Sequence, residues 1–144
     1  MHIFDNPMIM RQIIMDHYDN PQNKREPKDD TYLSLHMHSD NCIDDINVYL
    51  KIENDKVIDA CFTGVACTIS TSSTDIMCDL LVGKSKDEAL KIIEQYHHMI
   101  HEEEFDFDLL GEAVAFKNTS KQAARIRCAT IGWDAADKMI KENK

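Results

Sequence analysis

Basic charge is in short supply in this chain. Lys and Arg total 16 against 26 Asp and Glu, a net charge of −10 with histidine neutral. Such a surface repels phosphate backbones, so nucleic acid is not an expected partner. Long apolar runs are missing as well. None approaches the ~20 residues that a membrane helix needs, so no membrane partner is expected. The opening stretch, MHIFDNPMIM, lacks the basic start and apolar core of a secretory signal, and the expected location is the cytoplasm. There are no internal repeats, low-complexity tracts or linker-like stretches. No C-x-x-C knuckle is present either, which removes the most specific zinc signature.

What is present is a chain of 144 residues, 43% of them apolar. That length suits one domain over residues 1–144, and the apolar content is enough for a core rather than disorder. The five cysteines are an odd number and would stay reduced in the cytoplasm. Such thiols are buried, reactive or metal-bound.

The periodicity divides the chain into elements. NPMIMRQIIMDHYDNP reads as a helix capped by Asn6, with Pro7 at its first position, Ile9, Ile13 and Tyr18 on its inner stripe, and Asn20-Pro21 as its stop. QNKREPKDD is a charged connector. TYLSLHMHS alternates Leu33, Leu35 and Met37 with polar residues, the pattern of a half-buried strand. INVYLKI and KVIDACFTG follow as strands, joined by a two-residue turn at Asn54-Asp55. SDNCIDD, residues 39–45, is then the connection between the first two strands. CTISTSSTDIMCDLLVG opens a helix that ends at Gly83. KDEALKIIEQYHHMIHEE forms another, with Ala89, Ile93, Tyr96 and Ile100 facing inward. Residues 103–117 read as a loop with one helical turn, containing the acidic EEEFDFD. A last helix is expected over Ser120 to Lys141, with Ile126, Ala129, Trp133, Ala136 and Ile140 as its inner stripe. This order implies an α+β fold, a three-stranded antiparallel sheet with helices packed on one face.

Three cysteines fall at element ends: Cys42 in the strand connection, Cys67 at a strand-to-helix junction and Cys128 near the start of the last helix. Cys61 and Cys78 lie inside elements and read as core thiols. Cys42 and Asp44 are two apart, so one loop offers a thiolate and a carboxylate. With Cys67 and Cys128 they make a four-ligand set that zinc accepts in tetrahedral geometry. By spacing alone, 25 and 61 residues apart with no knuckle, the cysteines fit buried or incidental thiols better than a metal site. His97 and His101 beside Glu102–Glu104, and His36 and His38 beside Asp40, read as solvated faces. No local signature supports a Cys–His hydrolase.

The segments RQIIMDHYDNPQNK, GVACTISTSSTDIM, LLVGKSKDEAL and ARIRCATIGW run in order along nearly the whole chain. Together they resemble the IscU/SufU/NifU N-terminal family of iron–sulfur cluster assembly scaffolds. The first looks like that family's H-[YF]-x-x-P-x-N helix exit. Two features look like the SufU branch: the long segment between Cys67 and Cys128, and Arg127 before the last cysteine, where the IscU branch has histidine. The resemblance implies one metal site made by Cys42, Asp44, Cys67 and Cys128. It implies zinc as the metal and a SufS-type, PLP-dependent cysteine desulfurase as the sulfur donor, with downstream iron–sulfur assembly proteins as recipients. The expected function is a zinc-dependent sulfur carrier with sulfurtransferase character, and Cys42 is expected to leave the metal and take the persulfide sulfur. The alternatives are a scaffold that builds an iron–sulfur cluster on the same cysteines, and a zinc-stabilised interaction domain. Arg125 and Arg127 flank Cys128 and would offset its charge or guide a persulfide. The family's glycines after the first cysteine and before the second are replaced by Ile43 and Ala66, which is expected to narrow the site or change its angle.

Overall fold

We describe the fold from a computed structural model, in which residues 6–40 and 43–143 are described. The element order is α1 (Pro7–Asp19), β1 (Leu33–His38), β2 (Asp45–Glu53), β3 (Lys56–Val65), α2 (Thr68–Leu81), α3 (Lys86–Ile100), α4 (Phe107–Leu110) and α5 (Ala123–Glu142). The strands form one antiparallel sheet in the order β1-β2-β3. Helices pack on one of its faces, as the alternation in the sequence implies.

Burial follows the strand pleat. Ile46, Val48 and Leu50 of β2 point inward every second residue and are fully buried, with Phe62 of β3 paired to Val48. Leu33, Leu35 and Met37 of the edge strand β1 are half-buried. The β2–β3 turn places Asn54 and Asp55 at φ 52° and 62°, the two left-handed positions that a tight hairpin demands. The connector after α1 covers the free edge of β3: the Arg25 and Phe62 N–H groups donate to the Phe62 and Asn23 carbonyls, at 3.0 Å each. The Arg25 guanidinium also meets Asp59 at 2.7 Å. Cys61 and Cys78 are fully buried, and burial pushes both thiols up, so they stay protonated core residues.

Three details depart from the periodicity. In α1 the buried residue is Met10, whereas Ile9 and Tyr18 are exposed, because the helix meets its neighbours along a narrow stripe. The segment read as a loop holds α4 and a 3₁₀ run, Gly111–Phe116, whose Ala113, Val114, Ala115 and Phe116 are all buried. A four-residue apolar stretch is too short to carry a helical period, so packing rather than pattern defines it. The last helix begins at Ala123, after a 3₁₀ turn at Thr119–Lys121, three residues later than the apolar stripe suggests.

The H-Y-x-x-P-x-N stretch acts as a clamp. At the end of α1, His17 Nδ1 lies 2.5 Å from the fully buried Asp75 carboxylate of α2, and Nε2 lies 3.0 Å from Glu112. The Asn23 backbone N–H donates to the second Asp75 oxygen at 2.8 Å, and its side-chain amide reaches Asp75 and Asp79. His17, Asp75 and Asp79 thus form a three-residue group of metal-ligand type, but their atoms are engaged with one another and with Asn23 and Glu112. The hydrogen bond to Asp75, opposed by burial and helped by Glu112, raises the His17 pKa from 6.5 to about 9.

A raised pKa contributes stability that is complete below pH 6.5, declines above it, and is lost as pH rises through about 9. The expected outcome is that His17→Gln lowers the unfolding free energy at pH 6 by on the order of 2 kcal/mol, seen as a lower melting temperature, and that its difference from the parent shrinks by pH 10. Thermal unfolding of both chains across that range checks it; a pH-independent difference would assign the clamp no charge.

Candidate metal centre

The chain reversal between β1 and β2 starts the site. The Ser39 N–H donates to the Asp44 carbonyl at 3.0 Å and closes the connection. Asp44 is only 1% exposed, whereas Asp45, next in sequence, is exposed and meets His36 at 2.5 Å. Of the two adjacent acids, Asp44 is the one that faces inward.

The end of β3 brings the second segment in. Gly64 has φ +114°, and a Cβ there would lie 2.2 Å from the Asp45 carbonyl oxygen. Only glycine allows this approach, which sets the 66–67 backbone beside Asp44. Cys67 is the N-cap of α2. Its N–H donates to Asp44 Oδ1 at 2.8 Å, its Sγ lies 3.8 Å from Asp44 Oδ2, and it accepts the Ser70 N–H at 3.4 Å. Sulfur at a helix N-terminus gains from the dipole when it is ionised. Ala66 is not among the residues with left-handed backbone, so its side chain introduces no backbone strain of that kind.

The third segment is α5. Gly132 lets it approach α2: a Cβ there would sit 2.4 Å from Thr74 Oγ1. One turn earlier Cys128 is 2% exposed. It is the sixth residue of α5, a turn beyond the free N–H groups, so its place comes from helix packing rather than from a helix start. A buried network holds this contact: Ser73 Oγ and Tyr96 OH both donate to the Ala129 carbonyl at 2.7 Å, and Trp133 Nε1 donates to Ser73 at 2.9 Å. Trp133 and Tyr96 stack with ring centroids 3.7 Å apart.

These packings bring Asp44, Cys67 and Cys128 together, each with a donor atom within 4.8 Å of the others. Tetrahedral zinc with sulfur ligands needs spacings of about 3.8 Å, so the donors are near ligating distance. Two thiols and a buried carboxylate also suit zinc by type, and among the described residues Asp44 has no basic partner to neutralise it. Cys42, the fourth expected ligand, lies outside the described residues.

The arginines are placed differently from each other. Arg127 donates to Asp134 at 2.9 Å, and Asp134 also meets His97 at 3.1 Å. Arg125 is exposed and lines a groove of about 320 Å³ with Arg11, Met10 and Ile69. Ile43 is 64% exposed, so its bulk lies toward solvent, at the same end of the sheet as the exposed Val65. The groups of metal-ligand type found among the described residues include neither the His97–His101 face nor the His36–His38 face. His97 is instead paired to Asp134, and His101 Nδ1 lies 2.7 Å from the His97 carbonyl. Ser70, Gly64 and Gly132 are invisible to a reading of ligand types alone. A helix start written TISTSSTD, polar yet without an acidic or basic face, is the signal that points to a buried polar packing surface.

A thiol–carboxylate site assembled at one end of a three-stranded sheet by the N-terminus of α2 and the packing of α5 defines a class of small α+β proteins with a candidate metal site. Residues 9–143 match the family model described as NifU-like N terminal domain, and the chain belongs to this family. It is 37% identical to the zinc-dependent sulfurtransferase SufU of Bacillus subtilis, over 92% of this chain and 89% of that protein. It is 33% identical to the iron–sulfur cluster assembly scaffold protein IscU of Streptococcus pyogenes, over 91% and 82%. A crystal structure of the proposed SUF-system scaffold protein of Fervidobacterium islandicum superimposes with a TM-score of 0.84 at 27% identity, over 91% of this chain and 96% of that one. No helix among the described residues is long and apolar enough to cross a membrane.

Because Gly132 sets the α2–α5 distance, Gly132→Ala is expected to cost about 1–3 kcal/mol by overpacking against Thr74. Adding Thr74→Ala should recover part of that loss. Denaturant unfolding of the two single variants and the double variant checks this; strictly additive effects would mean that the two residues do not meet.

Proposed function

We propose that this protein is a zinc-dependent sulfur acceptor. It takes the terminal sulfur of a persulfide from a SufS-type cysteine desulfurase and passes it toward iron–sulfur cluster assembly proteins. The observation that carries this reading is the meeting of Asp44, Cys67 and Cys128 from three separated segments. The similarity to a protein named a zinc-dependent sulfurtransferase supports it.

The zinc would be held by Cys42, Asp44, Cys67 and Cys128, and when bound it keeps the thiols deprotonated at neutral pH. The protein's own residues divide the remaining work. Asp44 and Cys128 are buried and anchored by the sheet and by α5, and Cys67 is fixed as the α2 cap. Cys42 falls in the chain between the end of β1 and the start of β2 and is not one of the two cysteines carried by α2 and α5, so it is the thiolate assigned to leave. It attacks the terminal sulfur of the partner's persulfide. The partner's S–S bond breaks, its cysteine departs as a thiolate, and a new S–S bond forms on Cys42. The exchange has no net oxidation and needs no further reactant. Arg125 and Arg127 both precede Cys128 on α5; with Arg127 paired to Asp134, the exposed Arg125 is the cation assigned to offset part of the site's negative charge.

A second reading, a scaffold for an iron–sulfur cluster on the same cysteines, is favoured by the similarity to a protein named as such a scaffold. The third, an interaction domain that zinc merely stabilises, accepts no sulfur. Mixing the anaerobically purified protein with a SufS-type desulfurase, cysteine and reductant separates all three when metal content is measured on the same sample. The expected result is zinc rather than iron and sulfide, with a mass gain of about 32 Da on the Cys42 peptide. Cys42→Ser should fold and accept no sulfur. Sulfur found only on Cys61 or Cys128, or full acceptance by Cys42→Ser, would contradict the role given to Cys42.

A further inference from the structure

The start of α2 is a buried helix built from hydroxyls. Residues 70–75, STSSTD, are all buried. A buried hydroxyl without a partner costs free energy, so each should have one. Most do. Thr71 donates to the Ala66 carbonyl, Ser72 to Thr68, and Ser73 to Ala129, while Asp75 is clamped by His17 and Asn23. Two do not: Ser70 Oγ and Thr74 Oγ1 are buried with no hydrogen-bond partner.

Their positions differ in meaning. Ser70 and Thr74 are four apart and share one face of α2. That face meets α5, because Thr74 packs on Gly132. The two helices run in the same sense through the contact: Cys67 lies near Cys128, and Ser73 reaches Ala129 and Trp133. Ser70, one turn before Thr74, therefore faces α5 at the level of Cys128, one turn before Gly132. Its own N–H already donates to Cys67 Sγ. Helical side chains lean toward the N-terminus, which carries the Ser70 hydroxyl further toward the two sulfurs.

We propose that Ser70 is a positioning residue of the metal centre, its hydroxyl donating a hydrogen bond to the coordinated sulfur of Cys128 or Cys67. This rests on the metal-site reading and extends it. A thiol is a weak acceptor, so the hydroxyl gains little while the site is metal-free. A coordinated thiolate is a strong acceptor, and outer donors of this kind tune the affinity and electronic character of a site. Ser70 thus supplies two donors from one residue, backbone and side chain, to a sulfur-rich centre. Thr74, a turn further from the sulfurs, is the built-in control.

The test uses the full chain with Zn²⁺ and with Co²⁺ as a spectroscopic substitute. Ser70→Ala is expected to weaken zinc binding about 10-fold, measured by competition with a chelator. It should move the sulfur-to-cobalt charge-transfer band to lower energy, since the sulfur loses a hydrogen bond. The metal-free Ser70→Ala protein should melt at or above the parent's temperature, because an unpartnered buried hydroxyl has been removed. Ser70→Thr, which keeps the hydroxyl, should restore the band and the affinity, and Thr74→Ala should leave both unchanged. The proposal is overturned if Ser70→Ala leaves band and affinity as in the parent, if Thr74→Ala shifts them equally, or if Ser70→Ala destabilises metal-free and zinc forms alike. A parent chain that takes up neither metal overturns the metal-site reading as well; a parent that binds both with an unchanged Ser70→Ala overturns this inference alone.

Discussion

The Cys67 N–H donates to the buried carboxylate of Asp44 at 2.8 Å, and the geometry of the candidate metal centre depends on that bond. It ties the end of the β1–β2 connection to the first residue of α2, two segments 23 residues apart in the chain. Burying an ionised carboxylate costs several kcal/mol unless it is paired. One backbone N–H and the positive end of α2 offset part of that cost. Two sulfurs beside it add no positive charge. A cation would complete the balance, and the donor types of this candidate site suit a thiophilic one. Gly64 is needed for the same reason: without its close approach to the Asp45 carbonyl, the carboxylate and the N–H do not meet.

The opposite wall of the site is set by a second constraint, the packing of a polar helix inside the protein. α2 cannot bury its hydroxyls by apolar contact, so it commits them to specific partners. Ser73 fixes the Ala129 carbonyl next to Cys128, and Asp75 fixes α1 through His17 and Asn23. Gly132 shortens the distance to α5. The result is a site whose two described cysteines sit on helices that cannot slide without breaking several buried hydrogen bonds.

Most of this fold is legible in the long periodic segments of the sequence. The alternation in β1 and β2, the Asn54-Asp55 turn and the stripe of α3 each follow from side-chain spacing, and each element stands where its pattern puts it. Cys67 as the cap of α2 is readable because a strand pattern ends and a helix pattern begins beside it. The 3₁₀ run Gly111–Phe116 is not, since its burial depends on what surrounds it rather than on its own period. The meeting of Asp44, Cys67 and Cys128 is likewise a tertiary fact that spacings of tens of residues cannot encode; the resemblance to a family supplies it. The His17–Asp75 clamp stands in the sequence as a motif without a role, because its partner lies 58 residues away. Ser70 carries no signal of its own among so many hydroxyls.

The central claim is that three thiolates and one carboxylate of this chain share one zinc ion. X-ray absorption at the zinc edge, on protein purified anaerobically and without chelators, reads that shell directly. The account predicts about one zinc per chain, with three sulfur neighbours at about 2.3 Å and one oxygen at about 2.0 Å. Folded protein without metal, or zinc surrounded only by nitrogen and oxygen, would contradict it.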